Sequence, residues 1–291
     1  MPELAFDFHP ERRVELMFDA PQTSSDGGLV LLRQLDEKLQ GCSTFAKLLP
    51  DARDAERVEH SRQEQLRQRV LQIALGYEDQ NDACSLRQDP LWKSACDRFP
   101  DDDVDLSSQP TLSRFEHAVD ARTVVQMQRL FEDRYVASLP QDTTVVVLDI
   151  DATDDPTHGQ QPLAFFHAHY HAKIYFPLLV FDGDGRLVSY RLRAGNAGNN
   201  KLSTALVVRL VRKVKARFAH ATVVVRADAG FCTPRLLDAL DTLHRELGDV
   251  FYVLGLEKNS RLIAMVESQL SMAKARSEES KGPARTFTTL M

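Results

Sequence analysis

The sequence predicts an α/β protein in two parts, a mainly helical segment over residues 1–140 and a mixed-sheet domain over residues 141–291. Three observations predict it. Upstream of Pro140 apolar residues recur at helical spacing between turn-forming clusters; downstream, β-branched runs alternate with amphipathic helical stretches; and Asp182-Gly183-Asp184-Gly185 is a hairpin turn between two such runs.

The 291 residues, 43% of them apolar, are enough to fill a sizeable core. No apolar run reaches the ~20 residues that span a bilayer, and the start MPELAFDFHPERR has charges where a secretion signal needs an apolar stretch, so a cytoplasmic protein without a membrane partner is expected. Cys42, Cys84, Cys96 and Cys232 form no C-x-x-C pair, which argues against a zinc site or a disulfide framework and for buried thiols. A net charge of -6 argues against indiscriminate coating of nucleic acid, yet Arg186 to His220 holds nine Lys or Arg and no Asp or Glu.

In the N-terminal part, Val14, Leu16 and Phe18 alternate with polar residues, an extended segment over Arg13 to Phe18. Ser24, Ser25 and Asp26 offer an N-cap for a helix running to about Leu39. A second helix, from about His60 to Leu75, gathers Leu66, Val70, Ile73 and Ala74 on one side, with Arg62, Arg67 and Arg69 elsewhere. Pro100 to Pro110 is a solvated acidic loop. Ser113 and Glu116 have the spacing of a capping box at the start of a short helix, and Asp120 caps the next one.

After Pro140, Thr143 to Asp151 and Tyr175 to Phe181 read as strands, the second joined by the hairpin turn to a third over Leu187 to Leu192. Gly195 to Asn200 is a loop, and Lys201 to Phe218 is a helix with Arg209, Lys213 and Arg217 stacked along it. The strand Thr222 to Ala227 follows, then a helix from Pro234 to about Gly248 and the strand Val250 to Leu254. The hairpin makes strands two and three antiparallel, and the helical crossovers make the later strands parallel, which is the strand order of a ribonuclease-H-like domain.

Acidic residues cluster at two strand ends: Asp149, Asp151, Asp154 and Asp155 close the first strand, and Asp228 closes the fourth. Asp149 and Asp151 share a strand face, and neighbouring first and fourth strands would bring Asp228 beside them. Carboxylates gather at a cost unless a cation neutralises them; a magnesium ion takes few of them and completes its shell with water and phosphate oxygens, which suits phosphodiester chemistry. Asp154 and Asp155, ahead of Pro156, fit turn formation instead. His167, His169 and His171 would share one face if extended, compatible with a metal, although the same alternation describes an exposed strand, the reading favoured here, with Lys173 and Tyr175 as nearby phosphate contacts. The acid-free stretch from Arg186 to Arg217, including Arg191, Arg193, Lys201, Arg209, Lys213 and Arg217, suits a DNA backbone track or merely a solvated face. Gly183 and Gly185 are hairpin glycines, since no phosphate-loop lysine follows.

Five motifs spread along the chain resemble the bacterial insertion-sequence transposases of the Asp-Asp-Glu type, transposase DDE domain group 1: LQIALGYEDQNDACSLRQDP, SSQPTLSRFE, LDIDATDDPTHGQQ, VVRADAGFC and YVLGLEKNSRL. The resemblance implies a protein that binds its element's terminal inverted repeats, cleaves there and joins the 3′-hydroxyl to target DNA with Mg²⁺ or Mn²⁺. It further implies a homodimer in a synaptic complex, associated with the bacterial nucleoid. It puts the first catalytic aspartate at Asp151, in an Asp-x-Thr setting, with Asp149 as rival, and the second at Asp228. The helical N-terminal part, including Arg87 and Arg114, would recognise the DNA ends.

The family's third acid is a glutamate on a later helix. Glu257 follows Asp228 too closely for that role and the final KGPARTFTTLM is free of acids, so this chain alone is expected to be truncated and impaired in catalysis. Two alternatives accompany this reading: a shortened protein that binds element ends and represses transposition, and an unrelated metal-dependent hydrolase using His167, His169, His171 and Asp228.

Overall fold

Short apolar segments and polar helices build the N-terminal half, and long β-branched strands build the C-terminal half. A computed structural model describes residues 4–6, 14–16 and 24–289 except 102 and 199, and its residues fall into two compact units, Met1–Leu130 and Phe131–Met291.

In the first unit, β1 (Leu4–Phe6) pairs antiparallel with β2 (Val14–Leu16), the middle of the expected extended segment; Arg13, Met17 and Phe18 lie outside the described residues. Then come α1 (Leu29–Leu39), α2 (Gly41–Ala46), α3 (Arg62–Ala74), α4 (Ala83–Leu86), α5 (Pro90–Ala95) and α6 (Gln109–His117). Leu29, Leu71, Leu86, Trp92, Ala95, Cys96 and Leu106 form the core. The expected cap of α1 is not used as such: the helix starts at Leu29 behind Gly28, while the Asp26 carboxylate accepts the Trp92 indole N–H at 2.8 Å and the Tyr77 hydroxyl at 3.0 Å.

The α3 helix is inverted relative to its expected apolar face. Val70 and Ile73 are 45% and 53% exposed, whereas Gln65, Arg67, Gln68, Leu71 and Gln72 are buried. Two of these buried polar groups, Arg67 and Gln68, find partners distant in sequence, whereas the Gln72 amide has none among the described residues. Arg67 pairs with Asp36 at 2.9 Å and with Asp97, Arg33 also reaches Asp97 at 2.8 Å, and the Gln68 amide bonds both backbone groups of Ser107. That last contact buries Leu106 and Ser107, so the 100–110 loop is solvated only in part, with Asp101 and Asp103 exposed. The α6 helix starts at Gln109 with Pro110 in its first turn; Ser113 and Glu116 are therefore interior, and Glu116 takes Arg69 at 2.6 Å instead of capping. Asp120 does cap the following helix, α7 (Ala121–Ser138), accepting the Thr123 N–H at 2.7 Å.

The second unit is organised by β3 (Val145–Ala152), β4 (Asp155–Pro156), β5 (Phe165–His167), β6 (Ala172–Tyr175), β7 (Leu178–Phe181) and β8 (Leu187–Arg191). They are followed by α8 (Ser203–Arg217), β9 (Thr222–Ala227), α9 (Pro234–Leu247), β10 (Val250–Leu254), α10 (Ser260–Met265) and α11 (Glu267–Ser280). The five-stranded sheet runs β10-β9-β3-β7-β8; β3 pairs parallel with β9 and antiparallel with β7, and β10 is parallel to β9. This is the mixed ribonuclease-H-like order. Val146, Leu148, Ile150, Val223 and Val225 of its central strands pack with Leu206, Leu210, Val214, Leu236 and Leu240 of the helices.

The expected strand Tyr175 to Phe181 is broken. Pro177 has no N–H to give a ladder, and the chain switches sheets there: β6 belongs to a separate three-stranded sheet of order β4-β6-β5, and only β7 joins the main one. Gly195 lies against this small sheet so closely that a Cβ would sit 2.0 Å from the Ile174 carbonyl oxygen. Cys42 and Cys96 are buried as expected, but Cys84 is exposed and Cys232 half-buried, because short α4 and the turn after β9 present them outward. Among the described residues no helix is long and apolar enough to cross a membrane.

Candidate active site

The alternation of β3 decides which acids meet. Val146, Leu148 and Ile150 face the core, so Asp149 and Asp151 emerge together on the other side. The last β3/β9 pair is Ile150 with Ala227, so Asp151 and Asp228 each stand one residue beyond it, at the carboxyl ends of adjoining parallel strands. Such strands lie about 4.8 Å apart. Asp228 keeps an extended backbone and its carboxylate accepts the Gly230 N–H at 2.9 Å, capping a single tight turn; Asp151 accepts the Ala152 N–H at 2.8 Å. The turn is pinned from β10: the Gly255 N–H donates to the Ala227 carbonyl at 2.9 Å, and a Cβ on Gly255 would lie 2.7 Å from the Ala229 nitrogen. Only glycine fits there. Asp149, Asp151 and Asp228 line one open cleft of about 730 Å³ with Asp182, Gly183, Arg226 and Gly255.

The three acids differ in what already holds them. Asp149 sits opposite Arg226 in the register, and the guanidinium grips it bidentately, Nε to Oδ1 at 2.6 Å and Nη2 to Oδ2. That carboxylate holds the Arg226 pKa above its ordinary value. Asp182 is engaged by the Arg186 side chain at 2.7 Å and the Tyr135 hydroxyl at 3.2 Å. Asp151 and Asp228 are exposed, with oxygens directed to solvent beyond their local backbone bonds. A pair of exposed carboxylates is a hard-oxygen donor set that suits Mg²⁺ or Mn²⁺, which need only one or two carboxylates from the protein. Among the described residues no group of three His, Cys, Asp or Glu could hold a metal ion.

Tyr170 is a neighbour of this pair that sequence reasoning did not single out. Burial raises its hydroxyl pKa first, and the charges of Asp154, Asp151 and Asp228 raise it further, so the phenol lies within their field. Its ring packs on His167 at 5.1 Å, His169 at 4.8 Å and Phe176 at 6.2 Å between centroids. Its only signal in the sequence was its place between two of the alternating histidines. Those histidines do not share a strand face: β5 ends at His167, and His169 and His171 lie in the turn before β6, where His171 takes a left-handed φ of 52°. The expected exposed strand face and the three-histidine metal reading both fall with that turn.

The basic residues separate into two groups. Arg209 is bound to Glu132 at 2.7 Å and Lys213 to Asp133, both acids on α7; Arg193 is buried, donating to the carbonyls of Phe176, Gly198 and Lys201. Arg87 pairs with Asp105 at 2.8 Å. Lys173, Lys201 and Arg217 are exposed, Arg217 over the Phe218 ring; Arg191 is half-buried on β8, and exposed Arg114 on α6 donates to Thr111 at 3.2 Å. The continuous track read from the sequence is thus interrupted by internal ion pairs.

A mixed sheet in ribonuclease-H-like order, with an aspartate at the carboxyl end of each of two adjoining parallel strands, defines the structural class. The chain belongs to a particular family within it: the profile of transposase DDE domain group 1 matches residues 6–291. No curated protein matches. Among solved structures the chain is similar to the piggyBac transposase in a synaptic complex with hairpin DNA, at 14% identity and a TM-score of 0.38, covering 82% of this chain and 53% of that one. It is also similar to the Mos1 transposase in a paired-end complex with a left transposon end, at 14% identity and 0.26, covering 72% and 67%. The Drosophila P element transposase in a strand transfer complex gives 14% and 0.28, covering 82% and 50%. The chain therefore spans about half the length of the piggyBac and P element chains, and no residue is placed by these distant likenesses.

Proposed function

We propose that this protein is an insertion-sequence transposase that binds terminal inverted repeats and acts as a homodimer on paired ends, cutting DNA and transferring the freed strand to target DNA. Membership of the DDE family supports the reaction class. The observation that carries the site is the position of Asp151 and Asp228 one residue past the last β3/β9 pair in the same cleft, neither in an ion pair among the described residues. In this reading Asp151 is the first metal-holding acid and Asp228 the second, while Asp149, occupied by Arg226, is not the primary ligand. A divalent cation held there would activate the attacking oxygen and stabilise the leaving oxygen of an in-line displacement. The protein's own contribution is to fix the two carboxylates on rigid strand ends and to wall the cleft with Gly183 and Gly255, with the Tyr170 phenol in the field of the acids. Exposed Lys173, Lys201 and Arg217 are proposed to meet the DNA backbone, and Arg114 to meet the element end; Arg209, Lys213 and Arg193 are assigned to structure.

One observation favours a second reading, a chain that binds element ends and represses transposition without cutting. With Asp149 gripped by Arg226, Asp151 and Asp228 are the cleft's acids left outside ion pairs among the described residues, so cutting would depend on these two alone loading a cation, whereas DNA binding would not. Both readings are separated by Mg²⁺- or Mn²⁺-dependent nicking of element-end DNA. Weak nicking that Asp228→Ala abolishes supports the enzyme; specific binding with no nicking supports the repressor; equal nicking by both proteins refutes the site.

A further inference from the structure

Arg226 is the cation of the cleft that the proposed chemistry leaves without a task. Its side chain is 49% exposed, it stands two residues before Asp228, and its fork lies across a single carboxylate, Asp149, itself 34% exposed. Arginine matches carboxylate and phosphate oxygens with the same bidentate geometry. Both partners stay open to solvent and salt even in this bidentate geometry, so a phosphate can compete with Asp149 for the fork. The charges also balance in pairs: Asp149 with Arg226 and Asp182 with Arg186, which leaves Asp151 and Asp228 as the unneutralised acids.

We infer that Arg226 is a phosphate-binding residue of the cleft, with Asp149 occupying its guanidinium as a stand-in until a DNA phosphodiester displaces it. Arg226 then anchors the backbone beside Asp228, and Asp149 is a competitor for the same fork. This rests on the DNA-processing reading of the site, and it makes a prediction of opposite sign for the two halves of one ion pair.

The test is binding of fluorescent element-end duplex in EDTA, where metal plays no part, by anisotropy over a salt series. Arg226→Ala should weaken binding on the order of ten-fold and lower the magnitude of the slope of log K against log salt by about 0.9, one phosphate contact. Asp149→Asn should tighten binding, and by more than Asp151→Asn, which removes the same charge from the same strand face without freeing an arginine. Thermal melting of each variant, with Arg226→Gln as a second version, separates folding from binding. Equal weakening by Arg226→Ala and Asp149→Asn would mean that the pair is only structural. Equal tightening by Asp149→Asn and Asp151→Asn would mean general electrostatics, and an unchanged salt slope in Arg226→Ala would also overturn the assignment. Absence of any salt-dependent DNA binding by the unaltered protein would instead sink the DNA-processing reading and this inference with it.

Discussion

Glu132 offers a sharp perturbation because one buried carboxylate joins three elements of the second unit. It is fully buried on α7 and takes the Arg209 guanidinium at 2.7 and 3.0 Å from α8 and the Ser189 hydroxyl at 2.7 Å from β8, with Lys213 at 3.7 Å. Removing one partner of a buried pair costs about 3–5 kcal/mol, since the other charge is left uncompensated. Arg209 is 28% exposed and can rehydrate in part, which places Glu132→Ala near the lower bound, at about 3 kcal/mol. For a unit of 161 residues (291 minus 130), that corresponds to a melting shift of roughly 6–12 °C. Calorimetry of Glu132→Ala, Arg209→Ala and the double variant checks it, with the double variant losing less than the sum of the singles. The reasoning fails if Arg209→Ala melts with the unaltered protein while lowering the salt slope of DNA binding, for then Arg209 would be a DNA contact.

Acid should loosen the first unit early. Arg53 holds the Asp51 carboxyl down to about 2, and Asp36 is also lowered: burial pushes it up, but the Cys42 N–H and Arg67 together outweigh that. A depressed carboxylate contributes stability that is present above its ordinary value of 3.8 and is lost as pH falls through the folded value. Denaturant midpoints followed by Trp92, the single tryptophan, should therefore fall between about pH 4 and pH 2, less so in Asp36→Asn. Native alkylation at pH 8 should modify exposed Cys84 first, whereas the Cys42 thiol, pushed up to about 12 by burial and by Asp36, and buried Cys96 should react only on unfolding, as read by mass spectrometry. Gly255→Ala should displace the Asp228 turn, since the added Cβ meets backbone at 2.7 Å, and should lower metal binding with a modest loss of melting temperature.

The central strands were legible because they are buried on the core face and rich in valine: Thr222–Ala227 is as read and β3 differs only at its ends, while the edge strand Val250–Leu254, largely exposed, was legible from its β-branched and aromatic run. The position of Asp151 and Asp228 at adjoining strand ends, each one residue past the last β3/β9 pair, follows from that order. What escaped depended on partners far along the chain. The acids that consume Arg209 and Lys213 lie on α7, outside the window in which the stretch looked purely basic. The buried face of α3 is polar because Asp36, Asp97 and Ser107 wait for it, which no helical periodicity encodes. The histidine alternation misled because β5 and β6 are short and turn between His167 and Ala172.

The most direct measurement is the position of Mn²⁺ in crystals of the protein with element-end DNA, located by anomalous scattering. The account predicts an ion about 2.1 Å from carboxylate oxygens of both Asp151 and Asp228, with Arg226 turned to a phosphate. An ion on Asp149 or on the His167–His171 turn, or carboxyls of Asp151 and Asp228 too far apart to share one, would contradict it.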